Sequence, residues 1–282
     1  MSINVGFVGL GTLGGPMASN LIKKGFKVRV YDTRAEAGRE LEAEGAAVAA
    51  DLPDLARSSQ FIFTMVRDAA QTEAVVLGDR GLLPAMTKGA TLIVTSTVGR
   101  ACVIKLNEAL TAVGCTLIDA PVSGSLPGAQ QGTLSLMIGA DEPVLARAKP
   151  VLEAVAKAIV RAGDVGAGQA AKIANNLVFS ISVIGLLEGL KLGIEAGVAP
   201  DVLREIFRAS SADSYALQRW DQLGGRWKGQ LGGGLPDQPL MCKDLQLAMS
   251  MAEELGLSLP IGDVAADLCG TGKAVGHDDP RT

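Results

Sequence analysis

The feature that most limits how this chain can fold is a set of spaced glycines near its start. Residues 5–8 form a short apolar segment typical of a buried strand, and residues 9–14 follow it with the spacing G-x-G-x-x-G. The apolar residues from Pro16 to Ile22 then predict a helix. Gly9 would allow a tight turn, Gly11 would let a pyrophosphate approach the backbone, and Gly14 would let helix and strand pack closely. The segment therefore predicts a βαβ unit that binds a dinucleotide.

A second predicted strand follows this helix and bears on the choice of nucleotide. It covers residues 27–31 and leads directly into Asp32. A carboxylate about twenty positions beyond the glycines is suited to accept a hydrogen bond from a ribose 2′-hydroxyl. The same charge repels a 2′-phosphate, so Asp32 favours NAD. Arg34 has the opposite effect because it could pair with that phosphate, and NADP stays possible.

The composition is typical of a soluble globular protein and argues against a nucleic-acid partner. The 282 residues suffice for one or two domains, with 48% hydrophobic and 20% charged residues. The net charge of −4 leaves no basic footprint, and 4% aromatic residues leave little surface for base stacking. We therefore expect a small-molecule substrate.

The cysteines and the histidine do not form a metal-binding pattern. No two cysteines are spaced as C-x-x-C, and the only histidine is His277, so a Cys/His zinc site is not expected. The cysteines are predicted to be reduced and packed as small apolar residues. They are Cys102, Cys115, Cys242 and Cys269. With no basic-then-apolar leader at the start, a cytoplasmic location is expected.

The first part of the chain alternates short β-branched segments with amphipathic ones. This alternation predicts an α/β fold with a doubly wound, mainly parallel sheet, that is, a Rossmann domain. The predicted strands cover residues 3–8, 27–31, 61–65, 91–95, 115–119, 134–138 and 158–161.

Near residue 163 the pattern changes to helices alone. Residues 163–168 predict a loop, 169–196 one long helix, and 239–255 a further helix after one that begins at Pro200, while 229–236 predict a flexible loop. The predicted domains are a nucleotide-binding domain, 1–162, and a helical domain, 163–282.

The long helix is predicted to be buried rather than to span a membrane. Its most apolar stretch, residues 177–187, is interrupted by Ser180, Ser182 and Gly185 and is too short for a bilayer. Because the helix is apolar on more than one side, one chain does not cover it. We predict that it is shared in a homodimer or homotetramer.

Polar residues follow three predicted strands at their carboxyl ends, where open α/β sheets bind ligands. These segments are residues 65–68, 95–97 and 119–125. Turn chemistry of Asp, Ser and Thr explains each of them without a function, so both interpretations stay open.

A lysine and two asparagines share one face of the long helix. Lys172, Asn175 and Asn176 stand at i, i+3 and i+4. Hydride transfer to a carbonyl leaves an alkoxide that needs a proton, and a desolvated lysine can exchange that proton. The alternative is an ordinary surface group near a helix start. The lack of a histidine outside the tail favours the acid/base role for Lys172.

Lys243 and Asp244 lie early in a later predicted helix. They are either an exposed charge pair of little energetic value or a cationic group that reaches the cofactor or a substrate carboxylate.

Four segments together resemble one family. GFVGLGTLGGPMASNL, DAPVSGS, GAGQAAKIANN and KDLQLA occur in this order between residues 5 and 248. They are similar to those of β-hydroxyacid dehydrogenases of the 3-hydroxyisobutyrate dehydrogenase and tartronate semialdehyde reductase kind. The resemblance implies a Rossmann domain, a long interdomain helix and an all-α C-terminal domain. It also implies NAD(P)-dependent hydride transfer to or from a small carboxylate-bearing substrate.

The resemblance assigns roles to individual residues. Lys172 would be the catalytic acid/base, Asn176 would orient the substrate, and Ser123 with Gly124 would hold the substrate carboxylate or a neighbouring oxygen. Thr97 would lie near the nicotinamide, and Lys243 would close over the cofactor. The full predicted cofactor set is Gly9, Leu10, Gly11, Thr12, Leu13, Gly14, Asp32, Met65, Val66, Thr97 and Lys243.

Four residues depart from the family pattern, and the segment before KDLQLA does not match it. Val66 and Arg67 stand where the family often has Leu-Pro, Ser125 replaces the second glycine of Ser-Gly-Gly, and Leu13 replaces a methionine. The reaction type stays the same, whereas the identity of the substrate and the physiological direction stay open. The alternatives are an imine reductase-like enzyme and a non-catalytic nucleotide-binding module; the presence of Lys172 argues against both.

Overall fold

The chain divides into two compact units, Met1–Lys172 and Ile173–Thr282. The computed structural model describes residues 3–220 and 239–271. The first unit is an α/β domain, and the described part of the second unit is helical. The division between the units falls inside the long helix, and the domain limits 1–162 and 163–282 stay a prediction.

A nine-stranded sheet forms the centre of the described part of the first unit. Its parallel portion consists of β1 Asn4–Val8, β2 Lys27–Tyr31, β3 Ala47–Val48, β4 Phe61–Thr64, β5 Thr91–Val94 and β6 Thr116–Asp119. It is extended by β7 Val122–Ser123, β8 Leu134–Gly139 and β9 Ala156–Gly163. Strand β8 pairs antiparallel with β6 and β7 and parallel with β9.

The strand order places the start of the chain in the middle of the sheet. The order is β3-β2-β1-β4-β5-β6, so the winding direction reverses between β1 and β4. In the register, Val5 pairs with Val28 on one side and with Phe61 on the other. Ligands of open α/β sheets bind outside the carboxyl ends of the strands at such a reversal. The glycine turn after β1 therefore lies at the expected nucleotide crevice.

Helices cover both faces of the sheet, as the continuous apolar strands require. Adjacent residues of one strand belong to different hydrophobic clusters: Phe7 lies in one and Val8 in the other. Phe7 stacks on Phe63 with 5.5 Å between ring centroids. The helices of this unit are α1 Gly14–Lys23, α2 Ala35–Glu42, α3 Leu52–Arg57, α4 Ala69–Leu77, α5 Arg100–Ala112, α6 Ser125–Gln131 and α7 Glu142–Leu152.

One long helix runs through the boundary between the units, and further helices follow it. Helix α8 is Ala167–Glu195; the others are α9 Pro200–Arg208, α10 Tyr215–Gln218, α11 Pro239–Glu254 and α12 Pro260–Thr271. A cluster that includes the buried residues Val183, Leu190, Leu217 and Leu245 forms the core of the second unit. The predicted architecture, a Rossmann sheet followed by a long helix and a helical region, is confirmed.

Seven predicted strands are present, with small shifts at their ends. Strands β3 and β7 were missed because two residues are too few for a periodic pattern. The predicted loop at 163–168 is shorter, since β9 ends at Gly163 and α8 begins at Ala167. The predicted flexible loop at 229–236 lies outside the described residues.

Helix α8 is only partly buried within one chain, as expected for a helix that is apolar on more than one side. Its most apolar 18-residue window has a mean hydropathy of 1.9, and 22% of that window is buried. By length and composition alone the whole helix could cross a membrane, so excluding a span from the short stretch 177–187 was wrong; core helices of soluble proteins can have the same length and composition. The apolar side chains of Val178 and Leu192 are 65% and 74% exposed.

The prediction of four reduced cysteines was wrong for two of them. Cys242 on α11 and Cys269 on α12 form a disulfide, with their Cα atoms 5.3 Å apart. These helices pack against each other, which a spacing of 27 residues does not reveal in the sequence. Cys102 and Cys115 are buried free thiols as predicted, and burial raises the pKa of Cys102 to about 11.

Candidate active site

Three segments that follow neighbouring strands meet at the carboxyl edge of the sheet. The glycine turn follows β1, Met65 and Val66 follow β4, and residues 95–97 follow β5. A Cβ atom built on Gly9 would lie 2.4 Å from the Met65 carbonyl oxygen. Ser96 Oγ donates a hydrogen bond to the Val66 carbonyl oxygen at 2.6 Å. The structure thus brings together the predicted cofactor residues of these three segments.

The glycine turn has the geometry of a pyrophosphate cradle. Gly9 has φ +91°, and a Cβ on Gly14 would lie 1.9 Å from the Gly9 carbonyl oxygen, so neither position accommodates a side chain. A Cβ on Gly11, in contrast, would meet no protein atom within 4 Å. The turn therefore keeps open space beside Gly11, and the first turn of α1 holds no acidic residue that would repel a phosphate.

The Asp32 carboxylate lies beside this turn and is held by several hydrogen bonds. The Leu10 N–H donates to its Oδ2 atom at 2.7 Å, and the Arg34 N–H donates to Oδ1 at 2.8 Å. The Arg34 guanidinium also lies 3.2 Å from Oδ1. Burial raises the pKa of Asp32, but the hydrogen bonds from Arg34 and Leu10 outweigh this effect and hold the pKa below its usual value. Asp32 is thus an ionised acceptor.

A second carboxylate, Asp119 at the end of β6, is completely buried. Its Oδ2 atom accepts hydrogen bonds from the N–H groups of Gly166 at 3.1 Å and Gln169 at 2.9 Å. Its Oδ1 atom accepts one from the Gln169 side-chain amide at 2.9 Å. Burial raises the pKa of Asp119 to about 6, although the bonds from Gln169 and Gly166 oppose this rise. Asp119 therefore caps the start of α8.

The side chain of Gln169 connects this cap to the segment after β5. Its Oε1 atom accepts from the N–H groups of Val98 at 2.9 Å and Gly99 at 3.1 Å, and its Nε2 atom donates to the Ser96 carbonyl oxygen at 3.0 Å. Gln169 is fully buried. The backbone on both sides of Thr97 is thereby fixed.

The predicted substrate-binding residues Ser123 and Gly124 lie between β6 and α6. Ser123 is the last residue of β7 and pairs with Ser135 of β8. Gly124, with φ 130°, directly precedes α6. Ser125 adopts a left-handed φ of 54°, at the position where related proteins were expected to have glycine. The loop therefore depends on two successive residues with positive φ.

Lys172 lies on α8, one turn beyond Gln169, and is 8% exposed. The side chain is thus mostly removed from solvent, unlike that of an exposed surface lysine.

In the second unit, Asn176 and Lys243 both contact the Asp244 carboxylate. Asn176 Nδ2 donates to Asp244 Oδ2 at 2.7 Å, and Lys243 Nζ lies 3.3 Å from Asp244 Oδ1. Asn175 donates to the Asn176 side-chain oxygen at 3.0 Å. The amide of Asn176 is therefore oriented by its neighbours.

The network residues Asp119 and Gln169 were absent from the predicted site. Both lie in segments already singled out, Asp119 at the start of DAPVSGS and Gln169 in GAGQAAKIANN, but neither was given a role. Their partners lie 47 to 73 residues away in the sequence, so the network itself left no local pattern. In the described ranges no group of three or more His, Cys, Asp or Glu side chains could hold a metal ion.

Comparison with known proteins covers nearly the whole chain. Residues 4–163 match the family described as the NAD binding domain of 6-phosphogluconate dehydrogenase. Residues 166–281 match the family described as the NAD-binding region of NADP-dependent 3-hydroxyisobutyrate dehydrogenase. The 3-hydroxyisobutyrate dehydrogenase of Pseudomonas aeruginosa is 38% identical over 94% of this chain and 90% of that protein.

This chain belongs to the β-hydroxyacid dehydrogenase family. Another relative, 2-(hydroxymethyl)glutarate dehydrogenase of Eubacterium barkeri, is 36% identical over 98% of this chain and 91% of its own length. A solved structure of Mycobacterium tuberculosis 3-hydroxyisobutyrate dehydrogenase with L-serine has a TM-score of 0.84 and 31% identity, covering 95% of this chain and 92% of that one.

The family fixes the general activity. The chain is an oxidoreductase that binds NAD(P) and acts on the CH–OH group of a hydroxy acid. This assignment takes precedence over the imine reductase-like and non-catalytic alternatives.

Proposed function

We propose that this dehydrogenase transfers hydride between NAD and the primary alcohol of a small 3-hydroxy acid, or the corresponding semialdehyde, with Lys172 as acid/base. The observation that carries the proposal is the burial of Lys172 on α8, one turn from the network that fixes the strand-end segments. A bound NAD would supply the hydride acceptor for oxidation. Lys172 Nζ takes the alcohol proton during oxidation and returns it during reduction.

The names of the relatives indicate the substrate class. 3-Hydroxyisobutyrate, 2-(hydroxymethyl)glutarate and L-serine share a carboxylate whose α-carbon carries a CH₂OH group, and they differ in the third substituent. We propose that the substrate of this enzyme has the same shared part. Ser123 and Gly124 are proposed to hold its carboxylate, Asn176 to orient its hydroxyl, and Thr97 and Lys243 to contact the cofactor.

The exposed apolar face of α8 supports a proposal about assembly. Val178 and Leu192 leave two large apolar side chains in solvent on one helix. We propose that a second copy of the chain covers this face, giving a homodimer or homotetramer. The cytoplasmic location expected from the sequence stays a prediction.

The acid/base role is tested with Lys172→Ala. NADH formation is measured with 3-hydroxyisobutyrate, 2-(hydroxymethyl)glutarate and L-serine, and NADH affinity is measured by fluorescence titration. The substitution is expected to lower kcat by about 10²–10⁴-fold, because proton transfer would lose its acceptor, while NADH affinity stays the same. Lys191→Ala, at an exposed position of the same helix, is the matched control and should keep full activity. Turnover of Lys172→Ala within a few-fold of the unsubstituted enzyme would contradict the assignment.

A further inference from the structure

The Asp119–Gln169 pair is a buried polar network that packing alone does not require. Both residues have no solvent exposure. Taking a carboxylate out of water costs several kcal/mol, and apolar residues of similar size often stabilise a core at least as well. The pair is therefore better explained by the geometry that it imposes than by stability.

That geometry joins three separate segments of the candidate site. Gln169 bonds to Ser96, Val98 and Gly99, which flank Thr97. Asp119 begins the segment that leads to Ser123 and Gly124, and it caps the helix that carries Lys172. Each segment thus owes part of its position to one pair of side chains.

The polar atoms of the two side chains have little freedom to rearrange. Both donors of the Gln169 amide group are matched to acceptors, Ser96 O and Asp119 Oδ1, and its Oε1 accepts two backbone N–H groups. A flip of this amide would oppose donors to donors, so only one orientation satisfies all the partners.

We propose that Asp119 and Gln169 are positioning residues that hold the Thr97, Ser123–Gly124 and Lys172 segments in register for hydride and proton transfer. The proposal rests on the proposed function in that it takes Lys172 as the acid/base. Neither residue is proposed to touch the substrate. Displacing a reacting group by about 1 Å can cost about 10²-fold in rate, which sets the scale of the expected effect.

The first test is Gln169→Met, which keeps the length of the side chain and removes its hydrogen bonds. With 3-hydroxyisobutyrate as substrate, or the most active acid of the panel, kcat is expected to fall about 10–100-fold, while NADH affinity stays within about two-fold. The Val98 and Gly99 amides should exchange hydrogen faster. The control is Asp164→Asn, which removes an exposed carboxylate before the same helix and should keep kcat.

The second test exchanges the polarity of the pair. Asp119→Asn places an amide donor opposite the Gln169 donor, and Gln169→Glu places a carboxylate opposite a carboxylate. In the double variant Asp119→Asn/Gln169→Glu, the introduced amide can donate to the introduced carboxylate, which restores one bond between the side chains. We expect the double variant to have a kcat several-fold above that of either single variant. A purely structural role would lower the melting temperature without this recovery of kcat.

Two outcomes would overturn the proposal. One is a folded Gln169→Met enzyme with kcat within two-fold of the unsubstituted enzyme; if that variant does not fold, the shorter Gln169→Asn is judged by the same criterion. The other is a double variant whose loss of kcat is the product of the two single losses. Loss of activity in Lys172→Ala alongside full activity of the pair variants would refute this proposal alone. Full activity of Lys172→Ala would refute the acid/base assignment, whereas amide hydrogen exchange at Val98 and Gly99 tests the positioning role of Gln169 independently of Lys172.

Discussion

At the residue scale, cofactor preference depends on how the Asp32 carboxylate is held. The Arg34 guanidinium and the Leu10 N–H keep Asp32 ionised beside the glycine turn. An ionised acceptor suits a ribose 2′-hydroxyl and repels a 2′-phosphate. We therefore interpret Arg34 as engaged by Asp32 and unable to favour NADP while that carboxylate is present.

Replacing Asp32 should change this preference. In Asp32→Ala, the ratio of kcat/KM for NAD to that for NADP is expected to fall about 10–100-fold, since a charge-assisted hydrogen bond worth about 1.5–3 kcal/mol is lost and Arg34 is released. The measurement is steady-state kinetics with both cofactors. In Asp32→Ala/Arg34→Ala the gain with NADP should disappear. An unchanged ratio in the single variant would count against NAD preference through Asp32.

Asp119 should make the free energy of unfolding depend on pH. Burial raises its pKa from 3.8 to about 6, so between these values the folded state binds more protons than the unfolded state. The contribution of Asp119 to the free energy of unfolding therefore decreases as pH rises from 4 to 6, by at most about 3 kcal/mol. The check is chemical denaturation from pH 4 to 8. The free energy of unfolding of the unsubstituted protein minus that of Asp119→Asn should fall up to about pH 6 and then level off; a flat difference would contradict the shift.

At the scale of elements, two glycines of the turn between β1 and α1 serve different purposes: Gly11 leaves space for a ligand, and Gly14 allows the chain to pack. Gly11→Ala adds a methyl group that meets no protein atom, whereas Gly14→Ala places one 1.9 Å from the Gly9 carbonyl oxygen. Gly11→Ala is expected to keep its melting temperature and lose most NADH affinity, because the methyl group occupies the space beside the turn. Gly14→Ala is expected to destabilise the fold by about 1–3 kcal/mol. Thermal denaturation and NADH titration together distinguish the two variants. Normal NADH binding by Gly11→Ala would contradict the interpretation that the glycine turn holds the pyrophosphate.

The same scale shows what could be predicted from the sequence. Strands such as β1 and β5 were recognisable because nearly all their residues are apolar and turns bound them. Lys172 and Ser123 were found through local segments shared with a family. The roles of Asp119 and Gln169 and the Cys242–Cys269 disulfide were not predicted, because their partners are brought together only by the tertiary fold.

At the scale of the whole molecule, the exposed face of α8 predicts assembly. Val178→Lys or Leu192→Lys is expected to shift the protein to a monomer, since a charged group would be buried against the second copy. The measurement is light scattering coupled to size exclusion. Val113→Lys, at an exposed apolar position at the end of α5, is the control and should keep the assembled mass. A monomeric unsubstituted protein would refute the assembly proposal outright.

The cap on α8 also has a consequence for the order in which the chain folds. The N–H groups of Gly166 and Gln169 depend on a carboxylate 47 and 50 residues earlier in the sequence. Closing so long a loop is slow compared with forming a helical turn. The first turn of α8 therefore becomes fixed only after β6 has joined the sheet. The nucleotide crevice needs a closure of the same order, since Val5 pairs with Phe61, 56 residues later, so refolding should restore the crevice and the position of Lys172 together.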